Sequence, residues 1–393
     1  MHFKAFALAS FASAVAGQSL SDVLESQQEL SNLTTYLNLF PDFRTQLTNM
    51  SDITLLAPSN AAFMSVLAND TLTEINANEQ MITSLFSYHV LNGTYSTFMT
   101  MPEFIPTALA QGPYSNVSQG QVVEAIRSSN ASNATVSLFS GILSESQIIS
   151  AGAGNMTGSG NGTTFDGGVI YIIDQFLVIP QNITNTAVQL DLRSAVGALG
   201  AADLSTTVDG LTDVTAFIPD NEAFQAVGGN LATATDEELA RILEYHIVNG
   251  TVSYTTDLSN GTMLTTMNGI DVLITEEDGD IFVNGARVVT PNVLTSNGVI
   301  HVIDSVLNPG NRTATPDASA SAPAPAFNVT STVTDVPFTS GVATATTTVN
   351  TEAPTSIADA AAGTSSGQGF AVLPTGAIGA AALFGGAAMM MNM

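Results

Sequence analysis

One stretch of this chain occurs twice, and the repeat constrains the fold more than any other feature of the sequence. TAFIPDNEAFQAV at 215–227 is an edited copy of TLLAPSNAAFMSV at 54–66. A spacing of this size is too long for one unit of a solenoid, so it predicts two tandem globular domains of similar fold. Three pairs of identical residues keep the same offset of 161 positions: Pro58 and Pro219, Asn60 and Asn221, and Phe63 and Phe224.

Two further blocks repeat in the same order. LFSYHVLNGT at 85–94 matches ILEYHIVNGT at 242–251, and GVIYIIDQFL at 168–177 matches GVIHVIDSVL at 298–307. The first of these blocks has apolar residues at helical spacing, and Gly93 and Gly250 stand where they would terminate the predicted helix. The second block is apolar at successive positions, which predicts a strand in the middle of a sheet.

Local signals place several boundaries. The apolar run at 214–218 predicts a strand, with Asp220 or Asn221 capping the helix that follows. Ser59 or Asn60 takes the same place in the first repeat. Thr235 and Glu238 predict a capping box. Alternating residues at 270–275 and 280–283 predict a hairpin around the turn at 276–279.

The first repeat is longer than the second in its middle. His89 lies 85 residues before Asp174, whereas His246 lies only 58 residues before Asp304. The extra residues fall in a stretch rich in Ser, Asn and Gly, from about 127 to 165, where we expect an insertion in a surface loop.

The charge balance and the lack of cysteine exclude several classes of function. Seven Lys and Arg stand against 34 Asp and Glu, for a net charge of −27, and Lys4 is the only lysine. Nucleic-acid binding needs clustered cations, so it is excluded. Schiff-base chemistry is excluded for the mature chain, because it requires a lysine and the only one lies within the predicted signal peptide. Without cysteine there are no disulfides, no catalytic thiol and no Cys-ligated metal.

The N-terminus predicts entry into the secretory pathway. Residues 1–16 contain Lys4, an apolar stretch from Ala5 to Ala12 and the small-x-small sequence at 14–16, all typical of a cleaved signal peptide. The alternative is a buried N-terminal helix.

The C-terminus predicts a stalk and an anchor. Residues 311–368 are rich in Ser, Thr, Ala and Pro without periodicity, so we expect an extended, O-glycosylated stalk that packs against no core. The apolar tail at 369–393 contains no Lys or Arg and follows small residues around Gly363, our candidate attachment residue for a GPI anchor. A membrane span interrupted by Pro374 is the alternative. The two domains then occupy 17–181 and 182–310.

Asn-x-Ser/Thr sequons are dense across the chain, and with the two terminal signals they predict a glycoprotein. The candidate sites are Asn32, Asn49, Asn69, Asn92, Asn116, Asn130, Asn133, Asn155, Asn161, Asn182, Asn249, Asn260, Asn311 and Asn328.

The repeated blocks resemble the fasciclin (FAS1) domain over about residues 19–309. The first motif of that family is similar to TLLAPSNAAF and TAFIPDNEAF, its Tyr-His motif to Tyr88-His89 and Tyr245-His246, and its second motif to GGVIYIIDQFLVIP and NGVIHVIDSVLNP. The resemblance implies an α+β fold with two tandem FAS1 domains, each a wedge-like β-sandwich with a helical layer. It implies a mainly structural role for the shared residues. The whole order of segments resembles the fasciclin-like GPI-anchored surface glycoproteins of fungi.

Some members of this family carry an acidic adhesion motif before the last block and engage integrins through it. The matching stretch here is Thr290-Pro291-Asn292-Val293-Leu294. It keeps the proline and the aliphatic pair, and Pro291, Asn292, Val293 and Leu294 are the candidate adhesion residues. Thr290 and Asn292 replace both acids, which argues against integrin binding because integrins grip an acidic side chain through a metal ion.

No set of residues predicts catalysis, a metal or a cofactor. His89 and His246 lie on apolar helical stripes, where we expect hydrogen-bonded core histidines. The acidic turn at 276–280 lacks the twelve-residue calcium-loop pattern, and we interpret it as a solvated hairpin tip. Asp174 and Asp304 end the closing strands, which favours local hydrogen bonding over acid–base chemistry.

The sequence therefore favours a non-enzymatic adhesion protein on the outer face of the plasma membrane or in the cell wall. Its expected partners are surface, wall or matrix components, including other copies of itself, and the expected membrane attachment is the GPI anchor. The alternative is a binding module for a wall polysaccharide or a lipid, which a saturable affinity for a defined ligand would distinguish.

Overall fold

Two α+β domains with the same order of elements follow each other along the chain, as the repeat predicts. The structure, a computed structural model, describes residues 17–67, 79–129, 134–150, 162–312, 316, 319, 326, 327, 333 and 335–344. The predicted signal peptide, the anchor tail and Gly363 lie outside the described residues. Within the described part of the chain, no helix is both long enough and apolar enough to cross a bilayer.

The first domain contains five described helices and eight strands. The helices are α1 Leu20–Ser26, α2 Ser31–Leu37, α3 Pro41–Asn49, α4 Asn60–Leu67 and α5 Glu79–Tyr88. The strands are β1 Ile53–Pro58, β2 Val90–Asn92, β3 Glu103–Pro106, β4 Val122–Arg127, β5 Val136–Phe139, β6 Glu145–Ser150, β7 Thr163–Phe165 and β8 Gly168–Ile173.

The second domain contains six described helices and seven strands. The helices are α6 Ile183–Gln189, α7 Arg193–Ala201, α8 Ser205–Gly210, α9 Asn221–Ala226, α10 Gly228–Leu231 and α11 Asp236–Glu244. The strands are β9 Val214–Pro219, β10 Ile247–Asn249, β11 Met263–Thr265, β12 Asp271–Glu277, β13 Asp280–Val283, β14 Ala286–Thr295 and β15 Gly298–Ile303.

Each domain is built on one curled sheet with the same strand order. The order is β2-β1-β8-β6-β5-β4-β3 in the first domain and β10-β9-β15-β14-β13-β12-β11 in the second. The first and last long strands pair in parallel, β1 with β8 and β9 with β15, and the other pairs are antiparallel. The prediction that the last repeated block forms a central strand is confirmed. The prediction that the helix of the other block runs to its glycine is wrong, because α5 and α11 end at Tyr88 and Glu244 and the apolar residues that follow form β2 and β10. Single bridges, Leu91 to Thr107 and Val248 to Thr266, bring the two ends of each sheet together.

The repeated helix starts are capped by the first candidate of each pair. The Ser59 Oγ accepts a hydrogen bond from the Ala62 N–H at 3.2 Å, and the Asp220 Oδ1 accepts one from the Ala223 N–H at 2.7 Å. The capping box of Thr235 and Glu238 and the hairpin around 276–279 are also confirmed. Asn60 and Asn221 are therefore free to bond elsewhere.

The expected surface loop at 127–165 is wrong for much of its length. Strands β5 and β6 lie inside this stretch and pair with each other and with β4 and β8. Strand β5 corresponds to β13, and β6 and β7 correspond to the two halves of β14, because β7 pairs with the start of β8 in the register in which residues 293–295 pair with the start of β15. A polar composition therefore hid strands of the common sheet.

The expectation that the stalk packs against no core is wrong near its beginning. Phe327 and Phe338 are partly buried against the core of the second domain. These two aromatic rings stand among small and polar residues, and burying them removes apolar surface from water.

Replacing Gly298 should destabilise the second domain because this glycine lies where β15 approaches β9. A Cβ at Gly298 would stand 1.9 Å from the Val214 carbonyl oxygen, and the backbone φ of Gly298 is +154°. We expect Gly298→Ala to lower the free energy of unfolding by more than ~1 kcal/mol in urea denaturation. Gly210→Ala, with no atom near the added methyl, is the control. Equal stability of the two variants would contradict this account.

Candidate functional site

The Tyr-His motif ties the helix before it to the rest of each domain. The Tyr88 hydroxyl donates a hydrogen bond to the Val122 carbonyl oxygen at 2.8 Å, and the Tyr245 hydroxyl donates to that of Asp271 at 3.1 Å. Both tyrosines are fully buried. Tyr88 therefore fixes its helix to the start of β4, and Tyr245 fixes its helix to the start of β12. Both tyrosines have a structural role.

The histidines of the motif have both ring nitrogens occupied. The Nε2 of His89 accepts from the Leu177 N–H, and that of His246 accepts from the Leu307 N–H, each at 2.9 Å. Nδ1 therefore carries the proton and donates to a carbonyl oxygen of the preceding helical turn. Burial lowers the pKa of both histidines to about 4. Neither ring has a free nitrogen for a metal or a substrate.

The other shared residues also hold elements together. The Asn60 Oδ1 accepts from the Asn32 N–H at 2.9 Å, and the Asn221 Oδ1 accepts from the Ser194 N–H at 3.0 Å. These amides link the helix after the first strand to the preceding helices. Phe63 and Phe224 are buried, and Pro58 and Pro219 are the last residues of β1 and β9.

The acidic candidates do not form a cation site in the described part of the chain, where no group of three or more His, Asp or Glu side chains could hold a metal. Asp174 and Asp304 accept backbone N–H groups from Gln147 and Arg287 at 2.7 and 2.9 Å. Burial raises the pKa of Asp304 to about 6. Residues 276–278 of the acidic turn are exposed.

The residues that lie between the two domains form the most extensive polar site, which we call the seam. The Asn116 Nδ2 donates to the carbonyl oxygens of Gly210 and Leu211 at 3.2 and 2.8 Å, and its Oδ1 accepts from the Thr212 hydroxyl. The Ser118 N–H donates to an Asp213 carboxylate oxygen at 2.8 Å. One loop of the first domain thereby holds the turn before β9.

The same seam contains a buried polar bond between strands and a stacked aromatic pair. The Gln121 Nε2 donates to the Thr295 carbonyl oxygen at 2.9 Å. The rings of Phe104 and Tyr254 stack with centroids 3.9 Å apart and planes inclined by 7°. Phe104 pairs in register with Glu124, so both side chains lie on one face of the β3–β4 hairpin.

Glu124 is a carboxyl group buried in the seam. It is 7% exposed and hydrogen-bonds to the Asn292 side chain of the second domain. Burial raises its pKa to about 8, which the bond to Asn292 partly offsets. The hydroxyl pKa of Tyr254, which stacks on Phe104 in the seam, is raised by burial and then by Asp257, Asp213 and Glu124. The seam therefore favours a protonated Glu124 at neutral pH.

The candidate adhesion stretch lies in β14 at this seam. Asn292, Val293 and Leu294 are 6%, 0% and 1% exposed, and Pro291 is half-buried. Asn292 has a φ of +59° beside a register shift in β14, and its amide bonds to Thr255 as well as to Glu124. In this arrangement the stretch contacts the first domain instead of solvent.

The face of the second domain that corresponds to Phe104 and Glu124 is open. Met263 pairs with Leu273 in the register that Phe104 shares with Glu124, and the neighbouring bridges at Thr107 and Thr266 fix the correspondence. Met263 is 63% exposed and Leu273 is 44% exposed. The chain therefore uses this hairpin face once, inside the seam, and presents its apolar counterpart to solvent.

The glycosylation candidates differ in accessibility. Asn49, Asn92, Asn249 and Asn260 are exposed, whereas Asn32, Asn116, Asn182 and Asn311 are partly buried. The side chains of Asn69, Asn130, Asn133, Asn155, Asn161 and Asn328 lie outside the described residues.

Two small cavities in the described part of the chain have volumes of about 10 Å³ each. One is lined by residues around His89 and the other lies between the end of β15 and Ala326. Each has room for about one water molecule, while ligand pockets measure roughly 300–1,000 Å³. Neither cavity is a small-molecule site.

Sequence reasoning located the shared residues and missed the seam. Phe104, Glu124 and Tyr254 stand outside the repeated blocks, so the internal comparison gave them no weight. A lone glutamate in the apolar run VVEAIR at 122–127 was the available signal, since a charged residue in a buried strand needs a partner.

Comparison with known proteins agrees with the two-domain architecture. The model described as Fasciclin domain matches residues 28–180 and 190–309. A fasciclin-like arabinogalactan protein of Arthroderma benhamiae is 33% identical over 368 residues, which cover 92% of this chain and 81% of that protein. The fasciclin-like arabinogalactan protein CTB11 of Cercospora beticola is 31% identical over 79% of this chain and 81% of its own length.

More distant matches are shorter or less similar. Human periostin is 32% identical over 148 residues, which cover 36% of this chain and 18% of periostin. A solved FAS1 domain pair from the insect cell adhesion molecule fasciclin I matches 70% of this chain and 96% of its own chain, at 18% identity and a TM-score of 0.31.

The stability of the chain should fall as the pH rises through the titration of Glu124. The pKa of Glu124 is about 8 in the fold against 4.5 when it is exposed. Its contribution to stability is therefore fully present below pH 4.5, falls between pH 4.5 and 8 because only the unfolded chain loses the proton there, and is gone above pH 8. We expect a slope of at most ~1.4 kcal/mol per pH unit from this group, and Glu124→Gln should remove that slope and stabilise the chain at pH 8. Denaturant unfolding between pH 5 and 8 measures both effects, with the exposed Glu277→Gln as control. An unchanged slope in Glu124→Gln would place its source elsewhere.

Asn116 should remain unglycosylated although its sequon is intact. Its Nδ2 is the atom that a glycan would modify, and here it faces two carbonyl groups of the other domain. Glycopeptide mass spectrometry of the protein expressed in a host that N-glycosylates should find Asn116 bare and Asn249 occupied. A fully occupied Asn116 would mean that the seam forms differently or not at all.

Proposed function

The chain belongs to the fasciclin domain family, and from this we propose that it is a non-catalytic adhesion protein of the cell surface or matrix. We further propose that it is displayed on the outer face of the plasma membrane, or in the wall, by a glycosylated stalk and a GPI anchor. Its similarity to fasciclin-like proteins supports the surface or matrix role. The seam is the observation that carries the proposal, because it joins both domains into one body suited to present a contact surface.

The described residues give little support for a catalytic function. The shared histidines have both nitrogens engaged, and the strand-end aspartates accept backbone hydrogen bonds. A nucleophile, a base and an orienting group must lie within hydrogen-bond reach for catalysis. A role in binding is therefore favoured over a role in catalysis.

We assign the adhesive contact to the exposed β11–β12 face around Met263 and Leu273. The equivalent face of the first domain already binds another fasciclin domain within this chain, through Phe104 and Glu124. Methionine adapts to irregular partners because its side chain is flexible and polarizable. The net charge of −27 keeps copies apart at long range, so the contact should be weak for one molecule and strong only for many anchored together.

Replacing Met263 and Leu273 together should weaken adhesion without unfolding the domain. We expect Met263→Ser with Leu273→Ser to lower bead aggregation or cell binding at least tenfold at equal display. Both native side chains present apolar surface to solvent, and serine removes the apolar area that a partner would bury. The matched control is Met99→Ser with Met101→Ser, since both methionines are 64% exposed and lie on a loop of the first domain. Because Asn260 precedes β11, each pair is compared with and without Asn260→Gln. Adhesion unchanged in every background would reject this surface.

Removing the glycans at Asn92 and Asn249 should leave adhesion intact or raise it. These exposed residues end β2 and β10 at equivalent positions, and the single bridges bring β2 beside β3 and β10 beside β11, so we expect a glycan on either residue to shield the neighbouring surface. Adhesion of Asn92→Gln with Asn249→Gln is compared with the unmodified chain at equal surface expression. Abolished adhesion would show that these glycans, or the surface beneath them, take part in the contact.

A saturable affinity for a purified wall polysaccharide or lipid, without adhesion, would instead favour the ligand-binding alternative.

A further inference from the structure

Part of the predicted stalk lies in a groove on the helices of the second domain. We call Val333 and residues 335–342 the clasp. The Phe338 ring stands 6.3 Å from the Phe224 ring at an angle of 77°. The Ser194 hydroxyl donates to the Pro337 carbonyl oxygen at 2.7 Å, and the Val333 N–H donates to that of Gln225 at 3.4 Å.

Two glycines shape this groove for the clasp. A Cβ on Gly197 of α7 would lie 1.7 Å from the Phe338 carbonyl oxygen, and a Cβ on Gly228 of α10 would lie 2.2 Å from a Val333 methyl group. The clasp therefore occupies the space that side chains would fill on two different helices. A Cβ on Gly200, further along α7, would meet nothing within 4 Å.

The first domain fills the same place with its own side chain. The shared asparagine bond aligns Asn32 with Ser194, and so aligns Tyr36 with Ala198. The Tyr36 ring lies 6.0 Å from the Phe63 ring, as the Phe338 ring lies beside Phe224. The second domain has a small residue at this position and receives the aromatic ring from the clasp.

We propose that the groove also accepts the clasp of a neighbouring copy, so that chains displayed on one surface associate laterally by exchanging clasps. This rests on the proposed function, because exchange requires many copies held close together. Identical segments make identical contacts in either groove, so exchange loses none of them. The clasp is held by a few hydrogen bonds and a half-buried ring, each a weak contact, so it opens readily.

The chain is long enough for this exchange. Twenty residues separate Arg312 from Val333, and at ~3.4 Å each they reach up to about 70 Å when extended. If Phe327 stays packed on its own domain, the remaining residues still reach about 20 Å. In an isolated chain the tether favours its own groove through a millimolar effective concentration. Crowding on a surface supplies competing clasps at a comparable concentration.

The test uses the full chain on bilayer-coated beads at controlled density, and the absence of cysteine allows single-site labelling. One pool carries a donor dye at Ser340→Cys, and the other an acceptor dye at Ala226→Cys; both positions are exposed, and Ala226 adjoins Gln225 in the groove. We expect energy transfer between the pools to rise with density. Gly197→Ala in the acceptor pool should reduce it at least tenfold, whereas Gly200→Ala should not change it.

Both alanines favour a helix over glycine, so neither variant weakens α7 itself. A chain that carries both dyes reports its own groove, and there Gly197→Ala should lower transfer at low density, whereas Gly200→Ala should not. Transfer within single chains with none between chains at any density would overturn the exchange, as would transfer between pools that Gly197→Ala leaves unchanged. Bead adhesion without transfer between pools would reject the exchange and keep the adhesive role. Transfer between pools without bead adhesion would support the exchange and reject the adhesive role.

Discussion

The parallel pairing of the first and last long strands is the contact on which each domain depends. β1 lies against β8, and β9 lies against β15, with nearly every residue of these strands buried. The pair joins the two ends of each repeat, so loop closure over the intervening chain is completed only when the domain is whole. Gly168 and Gly298 permit the close approach of the strands. The shared histidines then hold the helical layer to the segments that follow β8 and β15, and the shared tyrosines hold it to β4 and β12.

Two domains with this common framework differ in what they place on one hairpin face. The first domain places Phe104 and Glu124 there and buries them in the seam, whereas the second places Met263 and Leu273 there and leaves them in solvent. A buried carboxyl group costs free energy unless it is protonated or well bonded, so the seam is tied to the proton concentration. An apolar pair in solvent carries no such dependence. The same backbone therefore serves an internal contact in one domain and an available surface in the other.

The segment after the second domain shows how composition and structure diverge. Most of its residues are small or polar and predict no packed core, yet Phe338 enters the helical layer because Gly197 and Gly228 leave room. The first domain needs no such segment because Tyr36 provides the ring. The clasp thus connects the folded body to the stalk at the helices of the second domain, beyond the last strand.

The sequence by itself determined the two-domain division, the central strands and the capping box, because local spacing and repetition encode them directly, and its resemblance to the fasciclin domain implied the α+β class. Thr235 and the block at 298–307 are examples, whereas the cap before α9 was narrowed only to Asp220 or Asn221. Only the tertiary structure decided the seam and the clasp, since both join residues distant in the chain that no periodicity relates. Glu124 meets Asn292 and Gly197 meets Phe338 across more than 100 residues. The strands within 127–165 were missed for a related reason: neighbouring strands stabilise them more than their own polar composition does.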